Sequence, residues 1–403
     1  MRSDVVLGLG GGIDYELTLS APVLDALVEE YRIGADELDR RAEIRTERDL
    51  VISILDHLRH GEGGEHFVVD PEVITTFAAR MPRRITLGGS SVRAGLVLSR
   101  SGIDPTLHLV TVNDHLRRLL PANCHYVCSG TEDSSYPHLI AQYERGLRVR
   151  VGERELTAAR ANRLIYVNDP PNEEMVLRDD LGDLLSRARV FMFAGLNGIR
   201  RSDLLQDRLA TLRRALSRLP PEALVYYEDA GFHVEEFKPI VQRALLDRID
   251  VFGLNEDELQ SYLGRRVDLL SADHMLTALR QVRTIVPART LVVHTAHWAA
   301  AVGERAADWR AALDAGVTHA GARYAYGDDC TDDQLDRVRR GLRQPQAVTF
   351  AEGLERRWGP GLVCRPAARL DVEHPTTIGL GDTFVGGFLS AVVPVGADVG
   401  GGL

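Results

Sequence analysis

The chain reads as an α/β protein with a doubly wound, mostly parallel sheet flanked by helices and a smaller α/β lid. Three observations carry this. Continuous apolar runs at Val190-Phe191-Met192-Phe193-Ala194, Ala223-Leu224-Val225-Tyr226-Tyr227, Val251-Phe252-Gly253-Leu254 and Thr290-Leu291-Val292-Val293 have the pattern of strands buried on both faces. Helical spacing fills gaps between them, at Leu204 to Leu219 and Val234 to Asp247, each long enough to cross over a sheet. Between Leu107 and Ile165, by contrast, short segments such as Leu147-Arg148-Val149-Arg150-Val151 and Arg163-Leu164-Ile165-Tyr166-Val167 alternate apolar and polar residues, as in a sheet with one wet face.

Taken in order, Val5-Val6-Leu7-Gly8-Leu9 predicts a buried strand running into the tight turn Gly10-Gly11-Gly12-Ile13-Asp14. Leu24 to Tyr31 and Asp49 to Leu58 have the apolar spacing of helices with one buried face, and Gly61 to Gly64 is a break. Arg84-Ile85-Thr86-Leu87, Gly88-Gly89-Ser90-Ser91 and Val92 to Ser99 follow as strand, glycine turn and helix. The expected division is a large domain from residues 1–14, 81–105 and 171–403, and a lid from 15–80 and 106–170 that contributes to the substrate site.

At 403 residues the chain exceeds the size at which a single core usually keeps growing, and its 44% apolar content can fill a substantial interior. The net charge of −10 argues against a nucleic-acid surface, which needs excess positive charge to displace counterions from phosphate. Lys238 is the only lysine, and no glycine-rich run precedes it, so a P-loop is excluded. The four cysteines are too few and scattered for a disulfide framework, and Cys124 and Cys128 have no second cluster with which to hold zinc. Without a signal-peptide pattern or a long apolar span, the expectation is a cytoplasmic protein with no membrane or nucleic-acid partner.

Ligands of a doubly wound sheet sit at the carboxyl ends of its strands. The residues there are Gly10-Gly11-Gly12-Ile13-Asp14, Gly88-Gly89-Ser90, Gly195-Leu196-Asn197, Glu228-Asp229, Asn255-Glu256-Asp257-Glu258, His294-Thr295 and Gly379-Leu380-Gly381-Asp382. Glycines, carboxylates and amides in these places suit an anion-and-metal site. The first glycine run fails the dinucleotide fingerprint, because Ile13 and Tyr15 stand where the third Gly or Ala belongs. It is either a plain turn or a loop presenting Asp14 to a ligand.

The sharpest signal is Gly379-Leu380-Gly381-Asp382, followed by the apolar stretch Thr383 to Ala391. Its glycines let the backbone approach a ligand, while the free N–H groups and dipole of a helix start attract phosphate. Asp382 is placed either to take the proton of a hydroxyl attacking phosphorus or simply to cap the helix. Glu228, Asn255 and Glu258 follow adjacent strands and suit a hard ion such as Mg²⁺. Asn255 to Glu258 reads equally as a capped helix start. With no P-loop, phosphate must be held by backbone amides, metal and Arg200 or Arg201, which follow the strand ending at Ala194.

In this order, Asp14, Gly88-Gly89, Gly253-Leu254-Asn255-Glu256-Asp257-Glu258-Leu259, His294-Thr295 and Gly379-Leu380-Gly381-Asp382 resemble the ADP-dependent sugar kinases, the glucokinase and phosphofructokinase branch of the ribokinase superfamily. The resemblance implies a ribokinase-like nucleotide-binding domain with a lid over the sugar. It implies Asp382 as base, the amides of Gly379, Leu380 and Gly381 as anion hole, and Asn255 and Glu258 organising Mg²⁺. Asp14 with Gly12, Gly88, Gly89 and Ser90 would face the acceptor, and His294 and Thr295 the nucleotide. The chain departs from the family where Asn-x-Asn-x-Asp is common, having Gly10-Gly11-Gly12-Ile13-Asp14, and where His-x-Glu is common, having Tyr226-Tyr227-Glu228. Loss of two amide side chains implies a different hydroxyl pattern or a bulkier acceptor.

The expected activity is phosphoryl transfer from a nucleotide, ADP by resemblance, to a hydroxyl of a sugar, sugar phosphate or nucleoside-like acceptor. Two alternatives stand beside it: an ATP-dependent kinase of the same fold acting on a secondary-metabolite acceptor, and a non-catalytic sugar- or nucleotide-binding regulator. Retention of Asp382 with both glycines favours catalysis, since a mere binder needs no base.

Overall fold

The computed structural model describes residues 4–39 and 42–393. Its nine-stranded sheet runs in the order Leu362–Pro366, Trp298–Gly303, Thr290–His294, Val251–Asn255, Leu224–Glu228, Val190–Phe193, Val5–Gly8, Thr106–Leu109, His125–Cys128. Pairing is parallel from Thr290–His294 onward and antiparallel at the first two strands. The apolar runs of the sequence form its centre: Val5–Gly8, Val190–Phe193 and Thr290–His294 are buried along their whole length. Two apolar clusters cover its two faces, one around Phe191, Phe193 and Phe252, the other around Met192, Tyr226 and Phe388.

A second sheet of five strands, in the order Gly64–Phe67, Asn162–Val167, His138–Tyr143, Gly12–Thr18, Arg84–Gly88, has its own core against the helices Ala21–Tyr31 and Glu47–His60. The chain passes from the first sheet to this one through Leu9, Gly10 and Gly11. Sheet membership departs from the expected division in two places. Thr106–Leu109 and His125–Cys128 pair in the large sheet, although 106–170 was assigned to the lid, and Arg84–Gly88 pairs in the small sheet, although 81–105 was assigned to the large domain. Thr106–Leu109 is buried at every residue, which fits a sheet covered on both faces. The expected helix from Val234 to Asp247 is α-helical only over Lys238–Leu245, because Pro239 lacks an N–H and is accepted only in a first turn.

The helix Leu380–Ser390 is the element that positions the site. Thr383 to Leu389 are all buried, and the helix lies between Ser90–Arg100 and Arg310–Tyr326. Small residues make this close packing possible: a Cβ on Gly386 would stand 2.6 Å from Val97, and one on Gly316 2.5 Å from the Phe384 ring.

Candidate active site

A cavity of about 700 Å³ opens between the two sheets. The strand ends named above line its walls, with Gly12, Asp14, Gly89, Ser90, Glu228, Asn255, Glu258, His294, Thr295 and Gly379 to Asp382 all facing it. One wall is the start of helix Leu380–Ser390. Gly379 adopts φ +63°, and a Cβ there would meet Arg93 Cδ at 2.9 Å, so glycine is required for both conformation and space. The Thr383 hydroxyl donates to Gly379 O at 2.7 Å and holds the turn. Asp382 does not act as the N-cap; its side chain is 25% exposed and Arg93 Nε lies 3.9 Å from its Oδ2.

The loop before this helix is tied to the lid. Gln142, on strand His138–Tyr143, accepts from Thr377 N (2.9 Å) and Thr377 Oγ1 (3.1 Å), and its amide donates to Pro375 O at 3.4 Å.

His294 sits against the Gly379-Leu380-Gly381 turn. Its ring stacks on Phe384 with centroids 4.7 Å apart, and a Cβ on Gly381 would stand 3.1 Å from its Cε1. Its Nε2 bonds Glu228 Oε1 at 2.7 Å. Burial opposes the imidazolium, but the Glu228 carboxylate outweighs it and the pKa is raised. Tyr226 donates to the other Glu228 oxygen at 3.1 Å. Thus Glu228 does have an imidazole partner, supplied by strand Thr290–His294 rather than by position 226. Thr295 also lines the cavity, its hydroxyl donating to Trp298 O at 2.9 Å.

Asn255 and Glu258 form a full capping box. Asn255 Oδ1 accepts from the amides of Asp257 and Glu258, and Asn255 N and Nδ2 donate to Glu258 at 2.7 and 2.8 Å. Burial, then the nearby charges of Asp229, Glu228 and Asp257, pushes the Glu258 carboxyl well up. Asp229, named at a strand end in the sequence but given no role there, is pushed up to about 6 by burial, despite hydrogen bonds from Tyr262 (2.5 Å) and Tyr227 (3.1 Å). Among the described residues no three acids, histidines or cysteines converge as direct metal ligands. An all-oxygen donor set of buried acids nevertheless fits a hard ion that keeps most of its waters, because a cation relieves the mutual repulsion of these carboxylates.

The lid supplies the opposite wall. Asp14 Oδ2 accepts from Arg93 at 2.7 Å, and its other oxygen lies 3.8 Å from His138 Nδ1. His138 Nε2 bonds Asp169 at 3.1 Å, and Asp169 accepts from Asn172 at 2.7 Å. Burial acts against the His138 imidazolium, but Asp169, Asp14 and Glu65 together hold its pKa up at about 9. Asn172 Oδ1 accepts from Gly11 N at 3.0 Å and fills the space beside Gly10, where a Cβ would meet it at 2.0 Å. An amide side chain therefore does stand beside the glycine turn, delivered from Asp169-Pro170-Pro171-Asn172. Gly88 lies outside the lining, its place set by Asp14, whose carboxyl a Cβ would meet at 2.2 Å.

The two arginines diverge. Arg200 lines the cavity with its guanidinium 3.9 Å above the Phe67 ring of the lid. Arg201 points to solvent, 69% exposed and paired with Asp203 at 2.6 Å, and does not reach the cavity. Arg93 and His138 were missed because each is a lone residue in its segment, and Asp169 and Asn172 because their partners, His138 and Gly11, lie far away in sequence. Only the Asp-Pro-Pro-Asn turn after an apolar strand carried a signal.

A glycine turn at a helix start on a doubly wound sheet, faced by a second sheet across a cavity, is an arrangement suited to a phosphate-bearing ligand. Residues 3–356 match the conserved region of the ADP-specific phosphofructokinase/glucokinase family, and the chain belongs to that family. It is accordingly an ADP-dependent sugar kinase in class, a phosphotransferase acting on a sugar hydroxyl. In structure it is similar to a hypothetical ADP-dependent phosphofructokinase from Pyrococcus horikoshii OT3, with 18% identity over 97% of this chain and 98% of that one and a TM-score of 0.75. A phosphofructokinase with AMP from the same organism is similar at 18% identity, 97% and 98% coverage and a TM-score of 0.73. An ADP-dependent kinase in complex with fructose-6-phosphate and ADPβS matches at 14% identity, with 97% and 94% covered and a TM-score of 0.73. These likenesses establish the fold expected from the motifs. No curated protein matches the sequence. Among the described residues, no helix is long and apolar enough to cross a membrane.

Proposed function

We propose that this protein transfers the β-phosphoryl group of ADP to a hydroxyl of a sugar, sugar phosphate or nucleoside-like acceptor, with Asp382 as general base. The observation that carries this is the position of Asp382: in the first turn of a buried helix, opening on the cavity, beside an anion loop and free of a capping role. The acceptor oxygen forms a bond to phosphorus as the bond from phosphorus to the bridging oxygen breaks. AMP leaves with that electron pair, and the hydroxyl proton passes to Asp382. The amides of Gly379, Leu380 and Gly381, with the helix dipole, favour the negative charge held there.

The acceptor lies against the lid, where Asp14, His138 and Asp169 offer polar partners above an apolar floor of Ile140, Ile165 and Val167. Glu228, Asn255 and Glu258 would hold Mg²⁺ through its waters, and the ion would supply neutralisation of phosphate charge. The family match supports ADP as donor, and the AMP, ADPβS and fructose-6-phosphate held by related structures agree with it.

Asp382→Asn tests the reading. Asn keeps the size of Asp, so melting temperature and ADP affinity should stay at parental values, while turnover with the best of a panel of hexoses, hexose 6-phosphates and nucleosides falls by ~10²–10⁴-fold. A variant turning over within about threefold of the parent would refute Asp382 as the base.

A further inference from the structure

Arg93, near the start of helix Ser90–Arg100, is only 4% exposed. A guanidinium buried so deeply is tolerated only when it is paired. Its NH2 donates to Asp14 Oδ2 at 2.7 Å and to Glu16 Oε1 at 2.8 Å, both on the lid strand Gly12–Thr18. Burial opposes its charge, but Asp14, Glu16 and Asp382 outweigh it and keep the group protonated. These bonds occupy one nitrogen of three.

The other two turn toward the anion loop. Nε lies 3.9 Å from Asp382 Oδ2, beyond hydrogen-bond reach, and NH1 would be 3.0 Å from a Cβ at Gly379. Among the described residues neither Nε nor NH1 donates to any protein group. A purely structural arginine in a buried site normally satisfies its whole fork. Here two donors of a buried cation, neither hydrogen-bonded to protein and one facing the Asp382 carboxylate, border the cavity beside the start of a helix, which favours an anion. The planar fork matches two oxygens of a phosphoryl group.

Resting on the kinase reading above, we propose that Arg93 contacts the transferring phosphoryl group through Nε and NH1, and that Asp14 and Glu16 of the lid fix its orientation. Arg93 gains and loses no atom in the step; it neutralises charge on the phosphoryl oxygens while the proton goes to Asp382 and AMP departs. Its position depends on the lid strand, so the cation is aimed only when the lid lies against the large sheet.

The test is initial-rate AMP formation from ADP, with the fastest acceptor of the panel. Arg93→Lys keeps a charge for Asp14 and Glu16 but loses the fork. Its kcat should fall by about 10²-fold, while ADP affinity by calorimetry stays within about threefold and the melting temperature stays near the parent's. In folded Arg93→Ala, methylguanidinium should restore the rate saturably by about tenfold or more; if that variant does not fold, Arg93→Lys decides alone. The proposal is overturned if Arg93→Lys turns over within about threefold of the parent. It is equally overturned if the loss lies wholly in the acceptor KM, or if folded Arg93→Ala is not rescued. Asp382→Asn in the same assay separates the two readings: an active Asp382→Asn removes the kinase site itself, whereas an inactive one beside an active Arg93→Lys removes only the role of Arg93.

Discussion

The two ends of the cavity are built in opposite ways. On the proposed reading, the phosphoryl end is mostly backbone: one tetrapeptide, Gly379 to Asp382, supplies amides, dipole and acid at the start of a single buried helix. The proposed acceptor end is mostly side chains, with Asp14, His138, Asp169 and Asn172 drawn from segments as much as 158 residues apart and brought together by the small sheet and by their own hydrogen bonds. A site made of backbone tolerates little change, because glycine at 379 is imposed by φ and by Arg93. A site made of side chains can be rewritten one residue at a time, which is where a family changes its acceptor.

Removal of the metal should give the largest effect at the phosphoryl end after the loss of Asp382. In excess EDTA, AMP formation should drop by on the order of 10²-fold or more and return with added Mg²⁺. Undiminished turnover would show that the acids around Glu228 and Glu258 serve the fold alone. Glu258→Gln is a poor substitute for this experiment, since it would also break the capping box with Asn255.

Asp14→Asn should strike the other end selectively. A hydrogen bond to a charged group contributes about 1.5–3 kcal/mol, so the acceptor KM should rise by roughly tenfold or more with ADP affinity little changed. A fall in ADP affinity instead would erase the distinction between the ends.

The smallest effect concerns stability. The Asp229 pKa is raised by burial from 3.8 to about 6, so the stability linked to its neutral form is complete below about pH 4 and is lost as pH rises through about 6. Asp229→Asn, which stays neutral, should therefore gain on the parent by about 1–3 kcal/mol between pH 5 and pH 8. Parallel melting curves across that range would show that Asp229 is not burdened by its site.

What could be read from the sequence follows the same division. The central strands were legible because burial on both faces writes a continuous apolar run, and the anion loop because glycines beside a buried helix are local in sequence. The strands Thr106–Leu109 and Arg84–Gly88 were assigned to the wrong sides, since a short strand carries no mark of the sheet it joins. His138 and Arg93 were invisible for a different reason: what matters about each is a partner on another segment. Arg201 erred the other way, being adjacent in sequence to a cavity residue yet turned to solvent.

On the proposed kinase reading, Gln142 would give the lid a part in excluding water as a rival acceptor. Its side chain holds Thr377 and Pro375, so any motion that draws the strand His138–Tyr143 from the large sheet must also break bonds to the loop that feeds Gly379. The same motion would pull Asp14 and Glu16 from Arg93. With those bonds broken, the turn at Gly379 and the guanidinium of Arg93 would lose the partners that orient them. On the proposed kinase reading, such coupling would guard a bound donor against hydrolysis with no separate gate.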